Sequence, residues 1–258
     1  MTFARSRPEI WVCHLGAVEY GEALALQERL RAARQAETVP DVMLLLEHPP
    51  VYTRGRRTGP GELPLGEDWY RARGIDVVDV DRGGKVTYHG PGQLVGYPIV
   101  RVDDVVEYVR ALEQALVHAL DQEGVAARAR PDEGPAYTGV WVQERKIASI
   151  GVHLSRGVTT HGFAVNVDND LEPFQWVVAC GLPSVRMTSL ALEIGRAGAH
   201  VRCFRKRVAY AVAEALGRRQ RLVSWDRLYA ASEPPVDPER LVTTASSVAD
   251  SRAGSALI

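Results

Sequence analysis

The segment KIASIGVHLSRGVTTHGFAVNV, residues 146–167, determines the fold class of this chain. Its two halves, 146–154 and 159–167, are rich in β-branched and aromatic residues, and the polar sequence SRGV separates them. This pattern predicts two strands that are joined by a tight hairpin turn. A third strand-like run, YTGVWV at 137–142, comes shortly before them. An antiparallel sheet fits the three strands best.

Helices and further strands surround this hairpin. Apolar residues recur at helical spacing in three segments, 18–37, 103–123 and 201–216. Short apolar runs predict strands at 42–47, 75–80 and 94–100. Because strands and helices mix without regular βαβ alternation, the sequence predicts an α+β fold.

The domain organisation follows from the same pattern. We expect one domain over residues 1–217 and a C-terminal extension over residues 218–258. One more short element is expected within 218–230. From about residue 232 the chain is rich in Pro, Ser, Ala and charged residues without a clear period, which predicts a mobile tail.

Composition excludes several classes of protein. The formal net charge of −1 over 258 residues provides no general field for nucleic acid or for a membrane surface. The three cysteines form no C-x-x-C pair, so the sequence predicts no metal site of that kind. The N-terminus has no apolar signal region, and no run approaches the roughly 18 apolar residues of a membrane helix. We therefore expect a cytoplasmic protein without nucleic-acid or membrane partners.

The glycine-rich stretch RGGKVTYHGPGQ, residues 82–93, does not match a nucleotide-binding loop. A phosphate loop needs another glycine upstream of its lysine and a Ser or Thr after it, whereas Val86 follows Lys85. A dinucleotide fingerprint needs a helix directly after its glycines. The stretch leads instead into LVGYPIV, a strand-like run that contains Pro98. On spacing alone, a glycine-rich loop between two strands is the favoured interpretation.

A few side chains could take part in chemistry. Cys180 ends the apolar, strand-like run VVAC before Gly181, where a thiol could be presented to a pocket as a nucleophile. A buried, inert cysteine is the alternative. Lys146 opens a predicted strand, where a solvated strand-end lysine is the favoured interpretation from spacing alone and a catalytic amine is the alternative. His89, His153 and His161 are candidate bases or hydrogen-bonded structural groups. Spacing leaves these alternatives open.

Four motifs in order resemble the octanoyltransferase family of lipoate biosynthesis, the lipoyl(octanoyl) transferases. They are RGGKVTYHGPGQLVGYPI, RKIASIGV, TTHGFAVNV and ACGLPSVRMTSL, and LLLEHPPVYTRGRR is also similar to an early segment of that family. The resemblance extends from about residue 10 to residue 216. It implies a fold of the biotin/lipoate protein ligase type, with a mixed, mainly antiparallel sheet and flanking helices.

The resemblance also implies an acyltransferase activity and its site residues. Such an enzyme moves an octanoyl group from acyl carrier protein to a lysine of lipoyl domains in oxo-acid dehydrogenase complexes and of the glycine cleavage H protein. The family's catalytic residues correspond to Cys180 and Lys146. Its substrate-binding residues correspond to Arg82, Gly83, Gly84, Lys85, Val86, Thr87, Tyr88, His89, Ser149, Ile150, Gly151, Gly162, Phe163 and Ala164. No ATP, metal or other cofactor is expected, and we expect a monomer.

These expectations define a chemical hypothesis. Cys180 would carry the acyl group as a thioester, and Lys146 would act either as an ammonium that favours the thiolate or as a neutral base. Gly83 and Gly84 would form the wall of an acyl groove, and His89 would orient the carbonyl or hold the loop. Three arginines of the early loop, Arg54, Arg56 and Arg57, would attract the acidic carrier protein.

Three other activities compete with this hypothesis. A lipoate or biotin ligase of the same fold would activate a free acid with ATP and would need no acylated cysteine. A silent module would bind acyl carrier protein without chemistry. A cysteine-dependent thioesterase would release the acyl group to water.

Overall fold

The elements of the fold follow the predicted order. The structure, a computed structural model, describes residues 7–182, 185–195 and 201–232, without the side chain of Cys180. The strands are β1 (Glu9–Ala17), β2 (Asp41–Glu47), β3 (Val51–Arg54), β4 (Asp76–Asp79), β5 (Thr87–His89), β6 (Gln93–Ile99), β7 (Arg128–Ala129), β8 (Gly139–Val142), β9 (Arg145–Ser155), β10 (Val158–Asn166), β11 (Arg186–Met187) and β12 (Arg219–Leu222). The helices are α1 (Tyr20–Gln35), α2 (Glu67–Arg71), α3 (Val105–Asp121), α4 (Leu190–Ile194), α5 (Val201–Ala215) and α6 (Trp225–Ser232).

The predicted hairpin is present and is formed by β9 and β10. The two strands are antiparallel, with Ile150 opposite Phe163 and Gly151 opposite Gly162. At the turn, Arg156 has a φ of 46° and Gly157 a φ of 75°. Positive φ at both central residues is typical of the hairpin turns whose twist matches that of the strands. The turn chemistry of SRGV thus sets the register of the hairpin.

The main sheet extends on both sides of this hairpin. Its strand order is β12-β1-β2-β6-β10-β9-β8-β7, and β11 pairs with β9. The pairs β12–β1, β1–β2 and β11–β9 are parallel, whereas all other pairs in this sheet are antiparallel. The sheet is therefore mixed and mainly antiparallel.

Helices cover both faces of the sheet. On one face α3 and α5 bury residues such as Leu112, Leu116 and Phe204 against the strands. On the other face α1 and α6 bury Leu26 and Leu228. The helix predicted at 103–123 begins after Asp104, whose carboxylate accepts hydrogen bonds from the backbone N–H groups of Val106 and Glu107. Amphipathic helices on a sheet constitute the predicted α+β architecture.

A small second sheet supports the glycine-rich stretch. Its order is β4-β3-β5, and a third apolar cluster that includes Tyr52, Tyr70 and Phe174 packs on it. The predicted strand-like run before Cys180 is wrong, because 3₁₀ turns occupy Glu172–Trp176 and Ala179–Gly181. The hydroxyl of Tyr52 donates to the carbonyl of Pro173 (2.6 Å), and that of Tyr70 to the carbonyl of Trp176 (2.9 Å). These side chains satisfy backbone groups that a strand would pair with another strand.

Part of the predicted C-terminal extension belongs to this fold. Strand β12 pairs in parallel with β1, and α6 contributes Leu228 to the core on the α1 face. The boundary predicted after residue 217 therefore lies between a helix and an edge strand of the same sheet. Residues 233–258, where we predicted a mobile tail, lie outside the described residues.

No helix within 7–182, 185–195 and 201–232 combines the length and the apolar character needed to cross a bilayer.

The carboxylate of Asp41 provides a test of how the sheet and the helices are joined. Asp41 is 3% exposed and accepts from Arg34 Nε (2.7 Å), from Arg218 Nε (2.7 Å) and from the backbone N–H of Arg101 (3.0 Å). The Asp41→Ala substitution leaves these donors without an acceptor. It should lower the free energy of unfolding by about 3 kcal/mol, measured by urea denaturation. Asp68→Ala is the control, because this carboxylate on α2 is fully exposed. Equal effects of the two substitutions would contradict the assignment.

Candidate active site

A cavity of about 520 Å³ lies between the glycine-rich stretch and the β9–β10 hairpin. This volume is typical of small-molecule sites. Almost all of the predicted substrate-binding residues line it, together with Lys146 and Gly181. They are Arg82, Gly83, Gly84, Lys85, Val86, Thr87, His89, Ser149, Ile150, Gly151, Gly162, Phe163 and Ala164.

Backbone groups form much of the cavity wall. Strand β8 pairs with β9 only as far as Ser149, and beyond it the N–H of Gly83 donates to the carbonyl of Val152 at 2.9 Å. A Cβ at position 151 would lie 2.9 Å from the carbonyl oxygen of Gly83. Such a contact is closer than a real side chain tolerates, so the two segments can approach only because residue 151 is glycine. The result is a narrow slot along the edge of β9.

Lys146 lies at the start of β9 and is 2% exposed. Its Cε would lie 2.8 Å from a Cβ at position 139, where the backbone of Gly139 has a φ of 131°. Its Nζ lies 5.4 Å from the centre of the Trp141 ring. Lys146 also lines the cavity, with the backbone of Gly139 and the ring of Trp141 beside its side chain. The alternative of a solvated strand-end lysine does not match this burial.

Cys180 lies in the 3₁₀ turn Ala179–Gly181, and its side chain is outside the described residues. The next residue, Gly181, has a φ of 68° and lines the same cavity as Lys146. The backbone turn that carries Cys180 and the buried lysine are therefore neighbours of one cavity, although 34 positions separate them in the sequence.

Tyr88 is the one predicted substrate-binding residue that does not line the cavity. Side chains alternate along β5, so Thr87 and His89 face the cavity and Tyr88 faces the opposite side. There its ring lies 5.5 Å from the rings of Tyr52 and Phe174. Tyr88 thus supports the second sheet from within its apolar cluster.

His89 is held by a hydrogen-bond network. The amide nitrogen of Gln93 donates to the carbonyl of Tyr88 (3.1 Å) and to Asn166 Oδ1 (2.9 Å), so the amide oxygen of Gln93 is the group that faces His89 Nδ1 at 2.7 Å. Nδ1 must then carry the proton. Burial lowers the pKa of His89 well below its usual value, so the ring is neutral and Nε2 is an acceptor. An acceptor cannot donate to a thioester carbonyl, which favours the loop-holding role.

A cluster of aromatic and imidazole rings borders the cavity next to His89. Tyr20 and Tyr97 line the cavity, and His48 lies behind them. Nδ1 of His48 donates to the carbonyl of Val18 (2.7 Å), and Nε2 accepts from the Tyr97 hydroxyl (2.7 Å). Burial lowers the pKa of His48 to about 4. This part of the site therefore carries neutral imidazoles at neutral pH.

The other two candidate histidines share one carboxylate. His161 Nε2 lies 2.7 Å from Asp81 Oδ1, and His153 Nδ1 contacts the other oxygen of Asp81. Burial raises the pKa of Asp81, but the hydrogen bonds from the two histidines outweigh it and leave this pKa lowered. Burial lowers the pKa of His161. Its backbone has a φ of 57°, which is uncommon for a residue other than glycine. The pattern of the sequence contained no signal for this pairing.

The first turn of α3 and the loop 131–138 form a further part of the cavity wall. Val105, Val109 and Pro135 contribute apolar surface there, and Val106 is 62% exposed at the rim. Sequence reasoning missed this lobe, because a valine on an amphipathic helix is expected to face the core.

The three arginines of the early loop differ in their surroundings. Arg54 forms ion pairs with Asp79 (2.7 Å) and Glu67 (2.6 Å), which neutralise its charge. Arg56 and Arg57 are exposed, and Arg57 lines the cavity. Only Arg56 and Arg57 therefore have the exposure expected of a positively charged rim around the cavity.

Comparison with known proteins identifies the class. Residues 19–213 match the family model of the lipoyl protein ligase A/B catalytic domain. An octanoyltransferase from Solibacter usitatus is 51% identical over 185 residues, which cover 69% of this chain and 82% of that protein. One from Acidothermus cellulolyticus is 49% identical over 191 residues, which cover 71% and 81%. The chain belongs to the lipoyl protein ligase A/B catalytic family and, within it, to the octanoyltransferases, a group of acyltransferases.

Solved structures agree on the fold. A lipoate-protein ligase A with bound ATP has a TM-score of 0.68 at 18% identity and covers 87% of this chain and 92% of that one. A putative lipoate protein ligase from T. acidophilum with bound lipoic acid has a TM-score of 0.66 at 16% identity, with coverage of 88% and 93%. The predicted fold of the biotin/lipoate protein ligase type is confirmed.

The buried imidazoles predict a pH dependence of stability. The pKa of His48 falls to about 4 in the fold, below its ordinary value of about 6.5, so the unfolded chain binds more protons between these values. The free energy of unfolding should therefore decrease as the pH falls from about 6.5 toward 4. Urea denaturation at pH 7.5, 6.0 and 5.0 should show this decrease, and His48→Gln should make it shallower.

The matched control is His118→Gln, because His118 is exposed on α3. It should leave the pH dependence as in the wild type. If His48→Gln showed the same pH slope as the wild type, the buried neutral state of His48 would be refuted.

Proposed function

We propose that this octanoyltransferase takes its acyl group from octanoyl-acyl carrier protein and transfers it to a specific lysine of a lipoyl domain. Cys180 carries the acyl group as a thioester, and Lys146 is the acid/base partner. The observation that carries the proposal is the position of Lys146. It is a 2% exposed amine that shares one slot with the turn of Cys180, and glycine backbone forms the wall of that slot.

The first step exchanges one thioester for another. Lys146 takes the thiol proton, and the sulfur of Cys180 attacks the thioester carbonyl of the acylated pantetheine arm. A new carbon–sulfur bond forms, the bond to the pantetheine sulfur breaks, and the proton returns to that leaving thiolate. A free thiol has a pKa near 8.5, so a base or a cation in the site is needed to supply thiolate at neutral pH.

The second step forms the amide. The amine of the acceptor lysine attacks the acyl-cysteine carbonyl, a carbon–nitrogen bond forms, and the carbon–sulfur bond breaks. Lys146 accepts the proton that the amine loses, and the cysteine leaves as thiolate. Amide formation from a thioester is downhill in free energy, so this route needs neither ATP nor a metal.

The slot suits a thin acyl chain. Glycine residues at positions 83 and 151 let backbone approach the chain closely, and Ile150 and Phe163 add apolar surface. Burying the seven carbons beyond the carbonyl would contribute roughly 5–6 kcal/mol before the costs of binding. One misfitting methylene changes selectivity by about 1–3 kcal/mol. The preference for eight carbons itself is implied by the family resemblance.

The partners follow from this chemistry. The donor is acyl carrier protein, and the acceptors are lipoyl domains of oxo-acid dehydrogenase complexes and the glycine cleavage H protein. The enzyme acts in the cytoplasm, as a monomer, without nucleic-acid or membrane partners. The chief competing activity is an ATP-dependent ligase, since the lipoate-protein ligase with the same fold was solved with ATP.

Incubation with octanoyl-acyl carrier protein without ATP tests the proposal. Intact mass measurement should show the gain of one octanoyl group, mapped by peptide analysis to Cys180. An added lipoyl domain should discharge it and gain the same mass on its lysine. No gain on the enzyme would favour a ligase or a silent binding module, whereas release of octanoic acid would identify a thioesterase. Either result would overturn the proposal.

Substitutions assign the two residues. Cys180→Ala should abolish the mass gain, and Lys146→Ala should lower transfer by at least about a hundredfold, since general acid–base groups contribute about 10²–10⁴. Cys203→Ala and Lys206→Ala are the matched controls, because both residues are exposed on α5, away from the cavity. A Lys146→Ala enzyme that is folded and fully active would remove this lysine from the mechanism.

Docking of the acidic carrier protein should depend on Arg56 and Arg57. Reversing both charges to Glu should raise the KM for octanoyl-acyl carrier protein at low salt and weaken its salt dependence, while kcat changes little. Steady-state kinetics at 20 and 200 mM salt measure this effect.

The control reverses two exposed charges elsewhere, Arg202→Glu with Lys206→Glu on α5. An equal rise in KM for both double variants would indicate a general charge effect and would remove the Arg56–Arg57 rim from the proposal.

A further inference from the structure

The lysines of this chain have an uneven distribution. Only three are present, Lys85, Lys146 and Lys206, against 31 basic residues in total. Lys85 and Lys146 both line the cavity, whereas Lys206 is exposed on α5. Lys146 has a role in the proposed function as acid/base partner. Lys85 enters that function only as one residue of the acyl-binding stretch, so its ammonium has no assigned task.

Lys85 crosses the turn that carries Cys180. A Cβ at position 181 would lie 2.2 Å from Cδ of Lys85 and 2.7 Å from its Nζ. The stem of Lys85 therefore occupies the space that a Cβ of residue 181 would take, and the φ of 68° at this position also favours glycine. Since adjacent Cα atoms are 3.8 Å apart, the ammonium lies at most about 8 Å from the Cα of Cys180.

Glu62 fixes the ammonium in this position. Its Oε1 lies 2.6 Å from Lys85 Nζ, and its Oε2 accepts from the backbone N–H of Val86 at 3.4 Å. The backbone carbonyl of Glu62 accepts from the N–H of Val178 at 3.0 Å. One residue thus joins the glycine-rich stretch to the segment that leads into Cys180.

The exposures of the ion pair indicate more than a surface contact. The Glu62 side chain is 7% exposed and that of Lys85 is 39% exposed. A nearly buried carboxylate is costly unless it is paired, so Glu62 needs the ammonium of Lys85 as its partner. The carboxylate is on the Glu62 loop, and the ammonium end of the pair lies on the Cys180 turn. The turn therefore lies beside the ammonium end of an ion pair that is neutral as a whole.

We propose that Lys85, held by Glu62, is a positioning residue that holds the Cys180 turn in place and keeps the ammonium end of this ion pair beside the turn that carries the nucleophile. This inference rests on the proposed function, because it assumes that Cys180 reacts as a thiolate. The sequence left two roles open for Lys146, those of a cation and of a base. This proposal assigns the two roles to two different lysines. Lys85 supplies the positive end of a fixed ion pair, and Lys146 exchanges protons.

The rate of thiol alkylation tests this division without acyl carrier protein. The protein used in this test has the substitution Cys203→Ala, which removes an exposed thiol. Cys13 is buried, and burial raises the pKa of its thiol to about 11, so it reacts slowly. Iodoacetamide forms a carbon–sulfur bond with the thiolate and releases iodide. Peptide mass spectrometry then gives the rate at Cys180 from pH 5 to 10.

Lys85→Met should shift the midpoint of this pH profile upward and slow alkylation at pH 7 by about tenfold or somewhat less, since the charge is partly exposed and paired. Lys85→Arg should retain most of the wild-type profile. Lys206→Met is the matched control and should not change it. Circular dichroism and thermal unfolding establish that each variant is folded. If Lys85→Met is not folded, Lys85→Gln, which keeps a donor for Glu62 without the charge, replaces it.

The outcomes separate this inference from the proposed function. A profile of Lys85→Met, or of Lys85→Gln, that equals that of Lys206→Met overturns the role of Lys85. A shifted profile in an enzyme that takes no octanoyl group from acyl carrier protein supports Lys85 and overturns the proposed donor. In steady-state transfer, loss of the charge should be offset by raising the pH, whereas a purely structural defect would lower the rate equally at all pH values.

Discussion

The close approach of the glycine-rich stretch to the edge of β9 is the contact on which the cavity depends. The N–H of Gly83 extends the hydrogen bonding of β9 at Val152, beyond the point where β8 ends. Ser149, Ile150 and Gly151 line the cavity here, together with the backbone of the glycine-rich stretch. A Cβ at position 151 would contact the carbonyl of Gly83 at 2.9 Å and separate the two segments. The slot exists because side chains are missing where two backbones meet.

Polar residues around the slot are ordered by buried hydrogen bonds. Gln93 and Asn166 connect the glycine-rich stretch to β10, and Asn166 Nδ2 donates to the carbonyl of Thr188 at 3.0 Å. The N–H of Thr188 in turn donates to the carbonyl of Lys146 at 3.0 Å. A continuous set of satisfied polar groups therefore extends from the neutral imidazole of His89 to the backbone of the buried lysine. Such networks rigidify a site, because each unsatisfied member would be costly.

The elements of the fold could be predicted where a local pattern is strong. The hairpin at 146–167 and the helix at 103–123 are within a few residues of their predicted bounds, because turn chemistry and an Asp N-cap act over short distances. The run before Cys180 resembled a strand but leads into a 3₁₀ turn. Distant residues hold this segment: Tyr52 and Tyr70 hydrogen-bond to the carbonyls just before the run, and the carbonyl of Glu62 accepts from the N–H of Val178. Likewise, all four residues of β12 are exposed, so no apolar alternation marks this strand in the sequence. It is a strand because it pairs with β1.

The sequence by itself determined the hairpin, the amphipathic helices and the residue types that the chemistry needs, since periodicity, caps and turns depend on neighbours in the chain. It made Cys180 and Lys146 candidate catalytic residues through resemblance, while their spacing left each with an unreactive alternative. Only the tertiary structure decided which side chains share the cavity. It excluded Tyr88, because β5 alternates, and it brought Lys85 onto the glycine that follows Cys180. These contacts join residues far apart in the chain, and their energies come from packing and hydrogen bonds that no local pattern contains.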